Sequence, residues 1–340
     1  MIRLGIADEG WQGFEREIAK GVAAAASERG WEWRTVTTAD DEAAVDIVLA
    51  IGNVGIYPDL IRRTVSARRV LWHMETLPIE ADTSGIANAL HRHLPTGRML
   101  DISARMVPLF GRSHRFALWR EEAARERETG TNLRQLRAAQ HALDRIVVDT
   151  HDRAAGALAA GIPVAVEPVG YHEAFAGPIA PASVSAPDRD IPALMLGSLP
   201  GSHGRRHRLL PIVEAGLASR GVALVRVTGN AMGAERRAIL ERTRVVVDVQ
   251  RVAGNHPMLR FILAAAAGAA LACEPLYDPR PLVPGVHYLE ATTEDLPRAV
   301  EALLRDEAAR TRIVDAAQTL IAGPAHLRIV LPRVLATIGT

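Results

Sequence analysis

Three stretches of this 340-residue chain set residues suited to chemistry beside glycines. In Leu196-Gly197-Ser198-Leu199-Pro200-Gly201-Ser202-His203-Gly204-Arg205-Arg206 an apolar run enters a glycine-rich turn and leaves it through two arginines. Glycine lets the backbone approach a ligand closely, and a helix start offers free N–H groups at a positive dipole end. Gly197, Ser198, Arg205 and Arg206 thus form a cradle for a diphosphate, the alternative being a long turn with a solvated arginine pair. A second cradle follows the apolar run 243–249. There Asn255 or His256 can cap a helix, Pro257 fits its first position and Arg260 stands one turn in, unless Arg260 is only a surface ion-pair residue. Nearer the start, His73-Met74-Glu75 ends the apolar run 69–72, placing an imidazole and a carboxylate where a general base would meet a hydroxyl. A hydrogen-bonded strand-end histidine is the rival account.

The elements that must position these groups alternate. Short apolar runs at 2–7, 33–37, 46–51, 69–73 and 145–149 are separated by helical stretches, including 14–29, a long charged one at 116–143, and 151–160; residues 163–168 make a last strand. The stretch HEAFAGPIAPASVSAPDRD, dense in Pro, Ala and Ser, carries no helical or alternating period and reads as a linker. Alternation then resumes with strands at 192–197, 222–227 and 243–249 between helices from about 205, 234 and 257. This pattern predicts an α/β protein of two Rossmann-like, doubly wound domains facing each other across a cleft. The expected bounds are 1–172, a linker at 173–190, a second domain at 191–325 and a last helix at 326–340 that could pack back on the first domain. Ligands of such sheets bind at the carboxyl ends of the strands.

Composition narrows the classes. Forty basic against 39 acidic residues leave a formal charge of +1, so no bulk field favours nucleic acid or an anionic membrane. The longest apolar run, 261–273, falls short of the roughly 18 to 20 residues a membrane span needs, and reads as a buried helix running into a strand. One cysteine, Cys273, and the absence of a secretory pattern at the start make the cytoplasm the default expectation. Lys20 is the single lysine and follows no glycine-rich turn, which excludes a Walker-type site; arginine supplies every other cation. Asp188-Arg189-Asp190 has a metal-binding spacing but lies at the linker end. His203 and His207 lack an acidic third ligand, His91 and His93 flank an arginine, and no Gly-x-Ser-x-Gly or Gly-x-Gly-x-x-Gly occurs. No metal and no cofactor are expected; oligomeric state is not encoded in any pattern.

The order of linker, apolar strand, glycine-rich turn and Arg-Arg helix, then NHPMLRF, AAAAGAALACEPLYD and PGVHYLEATTEDL, resembles the nucleotide-sugar-binding half of GT-B glycosyltransferases. It is most similar to the group 1 enzymes and their spore-maturation-protein-like relatives, and PVGYHEAF resembles the segment leading into their interdomain linker. The resemblance implies metal-independent transfer of a sugar from a nucleoside diphosphate donor on the C-terminal domain to an acceptor on the N-terminal domain. Arg205 or Arg206 with Arg260 would hold the diphosphate, and Glu274 and Asp278 would stand near the donor. The loop Asp8-Glu9-Gly10-Trp11-Gln12-Gly13, with Gly52-Asn53 in the same topological place, resembles the one facing acceptor and diphosphate, which makes Asp8 and Glu9 further candidates for activating the acceptor. His172 would face the cleft. Leu263 stands where the family usually carries the glutamate that binds the donor ribose, and Asn255 at its earlier acidic position. Either Glu274 serves the ribose, or the donor is held unusually, or activity is partly lost. The alternatives to transfer are a nucleotide-sugar epimerase and a non-catalytic nucleotide-sugar-binding partner protein.

Overall fold

The computed structural model describes residues 1–9, 13–63, 66–78, 129–181, 189–197, 205–227 and 231–336. Two parallel sheets form. The first contains β1 (Arg3–Ala7), β2 (Glu32–Val36), β3 (Ile47–Ile51), β4 (Arg68–His73), β5 (Arg145–Val148) and β6 (Ala165–Val166) in the order β2-β1-β3-β4-β5-β6. The second contains β7 (Ile191–Leu196), β8 (Leu224–Val227), β9 (Thr243–Asp248), β10 (Ala270–Cys273) and β11 (Leu289–Glu290) in the order β11-β10-β9-β7-β8. Apolar runs such as IVLAI and RVVVD suit strands covered on both faces, and Val48, Leu49, Val245, Val246 and Val247 are all buried. In both sheets the strand order reverses at the first strand, with neighbours β2 and β3 around β1, and β8 and β9 around β7. Such a reversal opens a crevice at the strand carboxyl ends.

Helices α1 (Phe14–Glu28), α2 (Ala39–Ala43), α3 (Pro58–Arg62) and α4 (His151–Ala159) accompany the first sheet. The linker stretch, although it lacks a helical period, begins with one helical turn, α5 (Glu173–Ala176), because His172 Nδ1 accepts from Ala174 N–H and Phe175 is buried against Gly21 of α1. Helices α6 (Arg205–Ala218), α7 (Gly233–Glu241), α8 (Met258–Ala266), α9 (Leu296–Arg305) and α10 (Glu307–Ala322) accompany the second sheet, and the run 261–273 is divided between α8 and β10. The last helix, α11 (Leu327–Leu335), lies against α1 and β4 of the first. Its start is tied down by Leu327 N–H to Tyr171 O at 2.8 Å, and Arg333 pairs with Glu167. Of the long charged stretch 116–143, residues 129–139 are helical and the part before 129 lies outside the described residues.

Two contacts set the spacing of the strand ends that matter for function. Glu17 of α1 accepts from Gly233 N–H at 2.8 Å and from Arg236 at 2.7 Å, joining the two halves at the start of α7. Within the first half, α4 is pressed onto the chain after β4 so closely that a Cβ added at Gly156 would lie 2.1 Å from the Pro78 carbonyl oxygen. That oxygen belongs to the backbone and cannot swing aside. Gly156→Ala should therefore cost about 1–3 kcal/mol of stability in urea unfolding; an unchanged midpoint would show that α4 is not seated on this loop.

Candidate active site

A cavity of about 500 Å³ lies between the two halves, a size suited to a small-molecule ligand. One wall comes from the first half: Gly13 and Phe14 at the start of α1, Glu75 after β4, and Asp149 and Arg153 around the start of α4. The other comes from the carboxyl ends of β7 and β9 and the helix starts beyond them, with Gly197, Arg206, Arg236, Asn255, His256 and Arg260. Both walls therefore stand at strand carboxyl ends.

The second wall is organised by Asp248, the last residue of β9 and 2% exposed. Its Oδ1 accepts from Arg260 at 2.9 Å and from Arg206 at 3.2 Å. Arg260 Nε also donates to Leu196 O, and Arg206 Nε to Val249 O, so each guanidinium is fixed at two points. Gly197, at φ 125°, lets the chain pass in front of them; a Cβ there would sit 3.1 Å from Arg260 Nη2 and 3.7 Å from Arg206 Nη1. Two like charges are thus held side by side on one carboxylate at a strand-order reversal.

Charge runs the other way on the first wall. Asp149, just after β5, is paired with Arg153, which also donates to Thr150 Oγ1 and to Glu75 O. Burial outweighs that pairing and pushes the Asp149 carboxyl up to about 7. Glu15, in the first turn of α1, is likewise raised to about 7 by burial and by the neighbouring Glu75. At the seam, His256 is 2% exposed and donates from Nε2 to Pro279 O. Its pKa falls to about 4 through desolvation, so the ring is neutral and Nδ1 is a buried acceptor without a partner among the described residues, as is Asn255 Oδ1.

Residues 203–327 match a family model described as glycosyl transferase-like. A comparison with curated protein sequences gives no match. Among solved structures, an α-glucosyltransferase in complex with UDP aligns with a TM-score of 0.57 at 9% identity over 98% of each chain. HepE of Anabaena in complex with UDP aligns at 0.56 and 10% identity, again over 98% of each chain. WaaG, a glycosyltransferase involved in lipopolysaccharide biosynthesis, gives 0.52 and 11% identity over 99% of this chain and 100% of its own. The chain has the GT-B fold. The glycosyl transferase-like match falls within its second half.

Placed in this GT-B frame, the residues singled out in the sequence separate. Gly13, Glu75, Gly197, Arg206, Asn255, His256 and Arg260 line the interdomain cavity together with Leu263. Gly10 and Ser198, with most of the glycine-rich turn, lie outside the described residues. Several others are engaged with partners elsewhere. Arg205 forms a two-pronged pair with Glu274 at 2.6 and 2.7 Å. Glu274 also accepts from Gln250 N–H and Thr293 Oγ1, which fills a 2% exposed carboxylate and leaves nothing for a ribose. Asp278 binds Arg280 in an exposed turn. His172 caps α5 and contacts Glu28 instead of facing the cleft. Asn53 caps a short turn through Gly55 N–H and contacts Asn132. Glu9 accepts from Asp59 and Leu60 N–H at the start of α3, and Asp8 does not line the cavity. His73 is fully buried, and desolvation lowers its pKa to about 3, which removes it as a base. Gly52 makes room for Glu15, whose Cγ would lie 2.7 Å from an added Cβ.

Sequence reading missed Glu15, Asp149, Arg153, Arg236 and Asp248. For the two aspartates a signal exists: Arg145-Ile146-Val147-Val148-Asp149 and Arg244-Val245-Val246-Val247-Asp248 are the same pattern, an apolar strand closed by an acid.

Two measurements check this electrostatic layout. Asp248→Asn removes the buried carboxylate that Arg206 and Arg260 share and should cost about 3–5 kcal/mol, whereas Asp278→Asn, in an exposed pair, should cost about 1 kcal/mol or less; equal losses in urea unfolding would contradict the burial contrast. Glu15, raised above its ordinary 4.5 in the fold, costs stability progressively as pH rises from there through about 7. Glu15→Gln should consequently melt a few degrees above the wild type at pH 8 and level with it near pH 4, read by calorimetry at both pH values.

Proposed function

We propose that the protein is a glycosyltransferase, moving a sugar from a nucleoside diphosphate donor to an acceptor hydroxyl in the interdomain cleft, with no cofactor beyond the donor. The carrying observation is the arginine pair Arg206 and Arg260, fixed on Asp248 at the carboxyl ends of β7 and β9 and lining the cavity between two Rossmann-like halves. A departing diphosphate gathers negative charge, and a preorganised pair of guanidiniums stabilises that charge without reorganising at the moment of reaction. Arginine takes here the role that other diphosphate sites give to a metal. Charge of the opposite sign develops on the sugar, which would face Asp149 and Glu75 on the opposite wall. His256 and Asn255, which line the cavity beside the arginines, would stand near the transferred sugar.

Asp149 is the group suited to take the acceptor's proton. Its carboxyl is poised near neutrality, it lines the cavity, and Arg153 holds its orientation. One observation favours binding without turnover: Leu263 lines the cavity where the family's ribose glutamate is expected, and Glu274 is fully engaged elsewhere. An epimerase would convert the donor with no acceptor present.

The test is a thermal-shift and calorimetric screen against UDP, GDP, dTDP and CDP. One of them should raise the melting temperature of the wild type. Arg260→Ala should weaken that nucleotide at least tenfold while the ligand-free protein melts as before. No response to any of the four would sink the reading, and donor turnover without an acceptor would replace it with epimerisation.

A further inference from the structure

The first sheet ends on β2, and among the described residues no strand pairs with its outer edge. Glu32 N–H donates to Ile2 O, and Val36 O accepts from Asp8 N–H, so in the parallel ladder with β1 the even-numbered residues of β2 turn their backbone groups inward. The N–H and C=O of Trp33 and Thr35 therefore point out of the edge of the sheet. Glu32, Trp33, Arg34 and Thr35 are all exposed. An edge strand that stays single is usually blunted by proline, by lysine or by a bulge. The strand Glu32-Trp33-Arg34-Thr35-Val36 contains neither residue, and its register with β1 is continuous.

Successive side chains of a strand take opposite faces. Glu32 and Arg34 share one face, on which charge alternates from strand to strand: Asp46 is paired with Arg3 at 2.6 Å, and Arg3 stands opposite Glu32 in the register of β1 and β2. That row ends on an acid whose outer side is open. Arg34 stands opposite Gly5, which offers no side chain, and has no hydrogen bond or ion pair among the described residues. On the other face Trp33 donates from Nε1 to Ser27 Oγ of α1 at 2.9 Å and is still 45% exposed.

A second copy of the chain completes this edge in one register. Antiparallel pairing about a two-fold axis at Trp33 sets Trp33 against Trp33, so that both outward backbone groups of that residue find partners, and Thr35 N–H faces the carbonyl of Trp31 in the second copy. The same register lays Glu32 against Arg34 of the second copy, twice, and carries the alternation of charge across the axis. A slip of the axis by one residue would instead set Arg34 against Arg34 or Glu32 against Glu32, which repels. We propose that the protein dimerises along β2 in this way, joining the first sheets of two copies into one continuous sheet. No residue of 29–36 lines the interdomain cavity, so the cavity stays open in the pair, and the dimer does not depend on the glycosyltransferase reading.

The experiment follows the mass of the full chain in solution by sedimentation over a wide range of protein concentration. The wild type is expected to reach twice the mass of one chain as concentration rises. Arg34→Glu leaves two acids on the edge and Glu32→Arg two bases, so each variant alone is expected to dimerise at least tenfold more weakly. Mixed in equal amounts, the two variants are expected to pair with each other about as tightly as the wild type, because acid again meets base at both contacts. A cooperative melting transition checks that each variant is folded before mixing. A wild type that stays monomeric at every concentration overturns the proposal, and so does a dimer that neither variant weakens. Folded variants that fail to pair in the mixture overturn the register about Trp33.

Discussion

Two guanidinium groups side by side repel, and in a desolvated site the repulsion is strong. Asp248 is what allows Arg206 and Arg260 to share one place before any ligand arrives. The rest of the second half can be understood as what that carboxylate requires. It stands at the end of β9, between β7 and β10, because only the interior of a sheet buries a strand end on both sides. Arg206 reaches it from the first turn of α6, and Arg260 from the first turn of α8. Helix starts bring donors and a positive dipole end to the same point. Gly197 keeps the chain between them thin enough for both side chains to pass. Backbone carbonyls of Leu196 and Val249 take the Nε donors of Arg260 and Arg206, so the pair is held in position by the ends of two adjacent strands.

The first half repeats the pattern with its sign changed. Asp149 again closes an apolar strand and again meets an arginine from the following helix, yet here one cation faces several carboxylates instead of two cations sharing one. The shared sequence pattern of an apolar run ending in aspartate thus yields opposite walls. What differs is the supply of arginines from the helix starts: Arg153 alone around α4, but Arg206 and Arg260 from α6 and α8. A cavity positive on one side and negative on the other matches a reaction in which a diphosphate leaves with negative charge and the sugar turns positive.

Architecture was legible in the sequence because its signal is local. Apolar runs of about five to seven residues between helical stretches marked most strands of both sheets, though not the two-residue β11, and the division of residues 261–273 into a helix and a strand could be read from length and alanine content. Within the site, Arg206, Arg260, Asn255 and His256 could be found because glycine turns and helix starts mark themselves. The pairings could not. Glu274 looks like a free acid in sequence, and only the fold shows Arg205, Gln250 and Thr293 using it up. His73 ends β4, which lies between β3 and β5, so its imidazole is sealed in; a strand's position in the sheet is not written in that strand. Glu15 reads as an ordinary acid at a helix start, and its burial depends on Gly52, 37 positions away by number.

Opposite walls are useful only at the right separation, and the contact that sets it lies at the cavity's own edge. Glu17 belongs to α1, the helix that also supplies Gly13, Phe14 and Glu15. Its carboxylate takes the Gly233 N–H and Arg236 from the other half, and Arg236 itself lines the cavity. Removing one partner of such a buried pair leaves the other charge uncompensated, so the relative placement of the halves and the charge of the site share one interaction. The same helix is gripped from behind by α11 and α5. Movement of one wall against the other must therefore carry α1 with it, and with α1 go Glu15 and the approach to Glu75. The two walls are coupled through one helix whose outer face is apolar packing and whose inner end is charge.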